Sequence, residues 1–128
     1  MKSQIRRILV VENSAEISPL ISKMLNSETV KVDVAVNGDI AENMLEQREY
    51  ALCIIDLAAF MAKNEQLRHY MSEKYPTLLN GAIFTAGGIV AEDARVFMAQ
   101  TKRQYLHKPF APEWLKEMVS NTIKKIYK

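Results

Sequence analysis

Short apolar runs alternate along the chain with longer segments in which apolar residues recur every three or four positions. Short runs of this kind are typical of buried β-strands, and the longer period is typical of helices with one buried face. The runs predict strands at 7–11, 30–36, 51–56, 81–85 and 104–106. The longer period predicts helices at 15–26, 39–47, 64–74, 90–102 and 112–127, with Asn13 and Glu16 capping the first helix. Leu20 in the first helix and Ile126 in the last are among the residues expected on the buried faces.

Strands that alternate with helices are typical of a parallel sheet covered by helices on both faces. The first, third and fourth strands are almost continuously apolar, which places them in the middle of the sheet. The second strand alternates valines with Lys31 and Asp33, and the fifth is short and polar, so we expect both at the edges. The order 2-1-3-4-5 satisfies these conditions. The sequence therefore predicts an α/β fold with a doubly wound, five-stranded parallel sheet.

Length and composition narrow the class of protein. The 128 residues, 48% of them hydrophobic and 25% charged, are ordinary values for one globular domain, which we expect to span 1–128. The net charge of +2 gives no reason to expect direct nucleic-acid binding, and no apolar run is long enough for membrane insertion. The single cysteine, Cys53, excludes an internal disulfide and fits a reducing compartment, so we expect a cytoplasmic protein.

Polar side chains end or follow four of the predicted strands. They are Glu12 and Asn13, Asp56, Thr85 beside Ala86, and Lys108. Because ligands of open α/β sheets bind outside the carboxyl ends of the strands, we expect these side chains to converge on one spot. Asp56 is the most informative of them, because a carboxylate at the end of a buried strand is costly unless it has a partner or a task.

The residue types at this edge suit a divalent cation and a phosphoryl group. Glu12, Asn13 and Asp56 offer the oxygen ligands that Mg²⁺ prefers, and a backbone carbonyl at Ala58 could add one. Asp56 could attack phosphorus, and Lys108 would then neutralise the phosphoryl oxygens. Simpler interpretations stay open: the Glu12–Asn13 pair could only begin a helix, and Asp56 could only pair with Lys108.

The chain resembles a receiver domain of two-component signalling, the module of response regulators and hybrid sensor kinases. Five segments carry the resemblance, which covers essentially all 128 residues: 8–13, 36–38, 54–57, 87–97 through its two glycines, Ala94 and Phe97, and 105–110. The strand-end aspartate, Asp56, together with the sequence Lys108-Pro109-Phe110 is the most specific combination.

The resemblance implies a flavodoxin-like fold and a place in a phosphorelay. Asp56 would accept a phosphoryl group, with Mg²⁺, from a phosphohistidine on a histidine kinase or phosphotransfer protein. Any activity of the domain itself would be limited to its own phosphorylation and dephosphorylation. Lys108 would sense the phosphoryl group, the Lys108–Pro109 bond would be cis, and Tyr105 would report the state on the face of the fourth helix, fifth strand and fifth helix.

Two departures from the family pattern affect the expected metal site. The second acidic residue after the first strand, a direct metal ligand in the family, is Asn13 here. One unit-charge pair about 4 Å apart is worth roughly 4 kcal/mol at an effective dielectric constant of about 20, so losing even a quarter of it weakens Mg²⁺ binding several-fold. The loop expected after Asp56 lacks the family's Met-Pro, and Asn64 would replace its glycine. Phe60 and Met61 in that loop either form a contact site or fold back onto the core.

The position of the family's switch hydroxyl is ambiguous. Thr85-Ala86 looks like the family's Thr-Ala pair, but an ungapped match back from Lys108 puts Ala86 in that position, and we favour the ungapped register. Two hypotheses follow. The first is a phospho-accepting receiver with weakened metal binding, and the second is a pseudo-receiver that binds proteins without phosphorylation. The resemblance leaves a homodimer open.

Overall fold

A computed structural model describes residues 5–62, 66–88, 90–100 and 103–126. Its five strands form one parallel sheet in the order β2-β1-β3-β4-β5, as the apolar pattern predicts. The strands are β1 (Arg6–Val11), β2 (Val30–Ala35), β3 (Leu52–Asp56), β4 (Ile83–Ala86) and β5 (Gln104–His107). The order confirms the flavodoxin-like α/β architecture, with the two more polar strands at the edges.

Seven helices lie in the described part of the chain. They are α1 (Ile17–Leu25), α2 (Gly38–Gln47), α3 (Leu57–Met61), α4 (Leu67–Lys74), α5 (Pro76–Asn80), α6 (Glu92–Gln100) and α7 (Pro112–Ile126). The sequence pattern did not predict the short helices α3 and α5. The expected role of Asn64, and the outer ends predicted for three helices at 64, 102 and 127, lie outside the described residues. None of the described helices has the length and apolar character that a membrane crossing requires.

The core lies on both faces of the sheet. Ile8, Val10 and Ile54 pack on one face with apolar residues of α1 and α7. Leu9, Val11 and other strand residues of the opposite parity pack on the second face with residues of α2 to α6. Side chains alternate between the faces along each strand, so the parity of a residue in its strand indicates the face on which its side chain lies.

Three local expectations about the helices need correction. Ser14, not Asn13, serves the start of α1, because its hydroxyl accepts hydrogen bonds from the backbone N–H of Glu16 and Ile17 at 3.3 Å. Leu20, expected on the buried side of α1, is 64% exposed. Ile126, expected on the core side of α7, is also exposed. The 3.6-residue period brings these apolar residues near the buried face but does not fix its width.

Candidate functional site

The predicted strand-end residues meet at the carboxyl edge of the sheet. Asp56 ends β3 and lies opposite Thr85 of β4 in the parallel register. Both side chains have the parity of Ile54 and Ile83, which belong to the core on the α1 and α7 face. The sheet therefore places the carboxylate and the hydroxyl residue on neighbouring strands and on the same side.

Lys108 joins two carboxylates at this edge. Its Nζ lies 2.7 Å from Glu12 Oε1 and 3.0 Å from Asp56 Oδ1. The three side chains are 17%, 3% and 13% exposed, so the charges are largely removed from water. The second oxygen of each carboxylate accepts a backbone N–H: Ser14 donates to Glu12 Oε2 and Ala59 donates to Asp56 Oδ2, both at 3.1 Å. The mutual pairing offsets the desolvation that each charge would otherwise suffer.

The two carboxylates keep Lys108 charged. Burial by itself would lower the pKa of the Lys108 ammonium group, but its hydrogen bonds and charge interactions with Glu12 and Asp56 outweigh burial and raise that pKa above its ordinary value. Because the pKa of Lys108 is raised in the folded state, the stabilisation that comes from its ion pairs is fully present below the pKa that Lys108 has in the unfolded chain. It is lost as the pH rises through the folded-state pKa. The cation is therefore fully formed at neutral pH.

Backbone contacts between two loops position the lysine. The Lys108 N–H donates a 2.6 Å hydrogen bond to the Ala86 carbonyl at the end of β4. The Lys108–Pro109 peptide bond is cis, as the resemblance implied. Gly88, in the segment after β4, has a φ of +64°, a conformation that favours glycine, and its carbonyl lies 3.3 Å from His107 Nε2. The segments after β4 and β5 are thereby held together beside Asp56.

The segment after Asp56 is helical where the sequence predicted a loop. Asp56 is the N-cap of α3, since its Oδ2 accepts the hydrogen bond from Ala59. Phe60 is 1% exposed, which decides between the two alternatives for this residue: it folds back onto the core. A carbonyl in the first turn of a helix points toward the helix C-terminus. This geometry directs the Ala58 carbonyl away from Asp56 and does not favour it as a metal ligand.

The remaining predicted residues differ in their surroundings. Thr85 and Ala86 are both buried, but only Thr85 shares the register and the face of Asp56. The ungapped sequence match, which favoured Ala86, does not take this register into account. Tyr105 is exposed on the edge strand β5, where it pairs with Phe84 of β4.

The site offers the kind of oxygen donors that a hard cation prefers, but only a few of them. Asn13 is exposed and directly follows the buried Glu12, so the acidic groups near Lys108 are Glu12 and Asp56. Among the described residues, no group of three or more acidic, histidine or cysteine side chains could hold a metal ion. Two carboxylates and an amide fit the oxygen preference of Mg²⁺, with less negative charge than a three-carboxylate site offers.

The sequence did not reveal every group at the site. The backbone N–H groups of Ser14 and Ala59 donate hydrogen bonds to the carboxylates of Glu12 and Asp56. A backbone donor does not depend on the type of side chain, so the sequence gives no sign of this contact at Ala59. Ser14 carried a signal in principle, because a serine three residues before Ile17 is a typical helix-capping pattern.

Comparisons with known proteins agree with this geometry. No protein-family model matches the chain. The transcriptional regulatory protein ResD of Bacillus subtilis (strain 168) is 32% identical over 106 residues, which is 83% of this chain and 43% of that protein. The chain thus spans less than half the length of this curated relative.

Solved structures support the fold. The signal receiver domain of an HD domain-containing protein from Pseudomonas fluorescens Pf-5 superposes with a TM-score of 0.81 at 17% identity, covering 97% of this chain and 98% of that one. A CheY-like response regulator receiver domain from Methanospirillum hungatei JF-1 has a TM-score of 0.78, 17% identity and coverage of 97% and 98%. At these identities the structures establish the fold alone.

The strand order, the edge chemistry and the curated relative together define the class of protein: an α/β domain of two-component signalling. The chain is a receiver domain of the response-regulator family.

Proposed function

We propose that this receiver domain accepts a phosphoryl group on Asp56 as one step of a two-component phosphorelay. The observation that carries the proposal is the pairing of Asp56 Oδ1 with Lys108 Nζ at 3.0 Å, at the carboxyl edge of a parallel sheet. The acceptor is only 13% exposed, yet it ends a strand at the rim of the sheet, where a donor can approach it. The proposed donor is a phosphohistidine on a histidine kinase or phosphotransfer protein.

The proposed transfer uses the carboxylate as a nucleophile. The P–N bond of the donor phosphohistidine breaks, a P–O bond to Asp56 forms, and the imidazole leaves with the bonding electron pair and takes up a proton. Lys108 already bonds the acceptor carboxylate, so its ammonium group is in place to neutralise charge on the transferred oxygens. Glu12 accepts a second hydrogen bond from the same ammonium group and would thereby help to orient Lys108.

The metal contribution rests on three side chains. Glu12, Asp56 and the Asn13 amide would hold Mg²⁺, and bound Mg²⁺ would supply positive charge to the phosphoryl oxygens. Asn13 makes the site one negative charge poorer than the family pattern. We therefore propose weak Mg²⁺ binding rather than a permanently filled site.

The strand register supports a proposed switch residue, and the exposure of β5 supports a proposed output surface. Thr85, on the strand beside Asp56 and on the same side of the sheet, is the proposed hydroxyl partner of a phosphoryl oxygen. Tyr105, exposed on β5, belongs to the proposed signalling face formed by α6, β5 and α7. A homodimer through this face is compatible with its exposed apolar side chains, Val96 among them.

An observation beside the site favours the second candidate, a pseudo-receiver that binds proteins without phosphorylation. An apolar groove of about 680 Å³ runs between α1 and the segment after Lys108. Apolar side chains line it and lysines stand among them: Ile17, Leu20, Met24, Pro109, Phe110, Lys23 and Lys116. The chemistry suits an amphipathic partner segment with an apolar stripe and acidic flanks. Docking of such a segment needs no phosphoryl group on Asp56, and for that reason the groove supports the second candidate.

Beryllium fluoride tests the proposed acceptor without a partner protein. The fluoride complex mimics a phosphoryl group on a carboxylate oxygen, so with Mg²⁺ it is expected to shift the backbone amide resonances of Asp56, Thr85 and Lys108. The matched variant Asp56→Asn keeps the size of the side chain but removes the anionic oxygen, and its spectrum is expected to stay unchanged. Equal shifts in both proteins would place the binding elsewhere and contradict the proposal.

A titration with Mg²⁺ in the presence of beryllium fluoride, followed by the same amide resonances, measures the effect of Asn13 on metal binding. In Asn13→Asp the restored carboxylate is expected to lower the Mg²⁺ concentration at half-saturation several-fold, because it adds one charge beside the cation. An exposed asparagine outside the site, Asn121 of α7, provides the control: Asn121→Asp changes the net charge equally and is expected to leave the midpoint unchanged. Identical midpoints for all three proteins would remove Asn13 from the metal site.

A further inference from the structure

The short helix α3 links the acceptor carboxylate to the surface helix α6. We propose that Asp56 has a second, mechanical role: its carboxylate caps α3, and α3 in turn holds α6 against the sheet through Phe60. Asp56 therefore acts as a positioning residue for α6, in addition to any part it takes in phosphoryl transfer.

The cap is the first part of the link. Asp56 Oδ2 accepts a 3.1 Å hydrogen bond from the N–H of Ala59, while Oδ1 is engaged with Lys108. Helix α3 has only five residues, and a helix that short has no stability of its own in water. Its conformation must therefore depend on the Asp56 cap at one end and on the packing of its buried side chains, Leu57 and Phe60.

An aromatic cluster is the second part. The Phe60 ring lies 5.2 Å from that of Phe84 in β4 and 5.4 Å from that of Phe97 in α6, and the Phe84 and Phe97 rings are 5.6 Å apart. The guanidinium group of Arg103, just before β5, lies 4.1 Å from the centre of the Phe97 ring. Phe60 is thus in direct ring contact with the sheet and with α6 at once.

Helix α6 has few other attachments. Ala94 is its single buried residue, whereas Phe97 and Met98 are only partly buried. An alanine offers little contact area, so the aromatic contact with Phe60 is a large share of what holds α6 to the body of the domain. Loss of order in α3 is therefore expected to increase the local unfolding of α6 more than that of helices with several buried side chains, such as α1 and α2.

The two oxygens of Asp56 give the link a regulatory consequence. A phosphoryl group on one oxygen would turn the carboxylate into an acyl phosphate and place the negative charge on the phosphoryl oxygens, which would alter both the Lys108 contact and the α3 cap. The consequence for signalling rests on the proposed function, but the mechanical link from Asp56 to α6 does not. The link is therefore tested without phosphorylation, so that its failure and the failure of the proposed function can be told apart.

Hydrogen exchange of two Asp56 variants tests the link. Asp56→Ala removes the cap, whereas Asp56→Asn keeps an oxygen that can accept from Ala59; both remove the charge next to Lys108. Loss of a helix cap is expected to raise exchange about fivefold in Asp56→Ala at 57–61 and at 92–100, relative to Asp56→Asn. The segments 17–25 and 38–47, in α1 and α2, serve as internal references and are expected to differ less.

A second substitution isolates the part played by Phe60. Phe60→Leu keeps an apolar core but removes the ring contacts with Phe97, so in this background Asp56→Ala is expected to affect 92–100 much less than in the native chain. Three results would overturn the link: faster exchange at 57–61 with 92–100 unchanged, equal effects of the alanine and asparagine variants, or a uniform rise that includes the reference helices.

Discussion

Lys108→Met is expected to lower the free energy of unfolding at pH 7 by about 3 kcal/mol, because it leaves Glu12 and Asp56 as two uncompensated carboxylates at a largely buried position. Methionine has a similar length, so the loss reports charge more than packing. Urea denaturation followed by circular dichroism measures it. Because Lys108 has a raised pKa, its contribution in the native protein is complete at neutral pH and is lost only at alkaline pH, as the pH rises through that pKa.

The matched control for this prediction is Lys116→Met. Lys116 is an exposed lysine on α7, and its replacement is expected to change stability by less than about 0.5 kcal/mol. A Lys108 variant as stable as the Lys116 variant at pH 7 would mean that the ion pairs at the site contribute nothing.

Phe60→Ala is expected to cost about 3–5 kcal/mol, because it empties the centre of the cluster formed with Phe84 and Phe97. The sequence alone left this residue between a contact site and the core, and the two possibilities predict opposite results for stability. Thermal or urea unfolding provides the measurement.

Trp114→Ala is the control for Phe60→Ala. The Trp114 side chain is a larger aromatic group but is 58% exposed, so its removal is expected to cost less than about 1 kcal/mol. If the tryptophan variant lost more stability than the Phe60 variant, the burial of α3 against the sheet would be wrong.

The strand order was predictable because it depends on the apolar content of each strand. Continuous apolar runs require two buried faces, and the alternation around Lys31 and Asp33 in β2 requires an exposed side, which leaves few arrangements. The convergence of Asp56 and Lys108 followed from the same topology, since it needs only parallel strands with polar residues at their carboxyl ends. Both features depend on the residue pattern of whole strands, which the sequence shows directly.

The details that the sequence missed depend on single tertiary contacts. Helix α3 is too short to produce a periodic pattern, and it exists because Asp56 caps it and Phe60 is buried. The sequence also could not show that Thr85 lies opposite Asp56, because an ungapped match does not represent strand register; which residue fills the hydroxyl position stays a prediction. Likewise, the exposure of Leu20 depends on how much of α1 the neighbouring helix covers.

The proposed function depends on the phosphorylation of Asp56. The most direct test is the intact mass of the wild-type protein after incubation with acetyl phosphate and millimolar Mg²⁺, beside Asp56→Asn treated in the same way. The predicted result is one added phosphoryl group on the wild-type protein and none on the variant. Folded wild-type protein without an adduct would contradict the proposed function and favour the phosphorylation-independent interaction module, and an equal adduct on both proteins would contradict the assignment of Asp56.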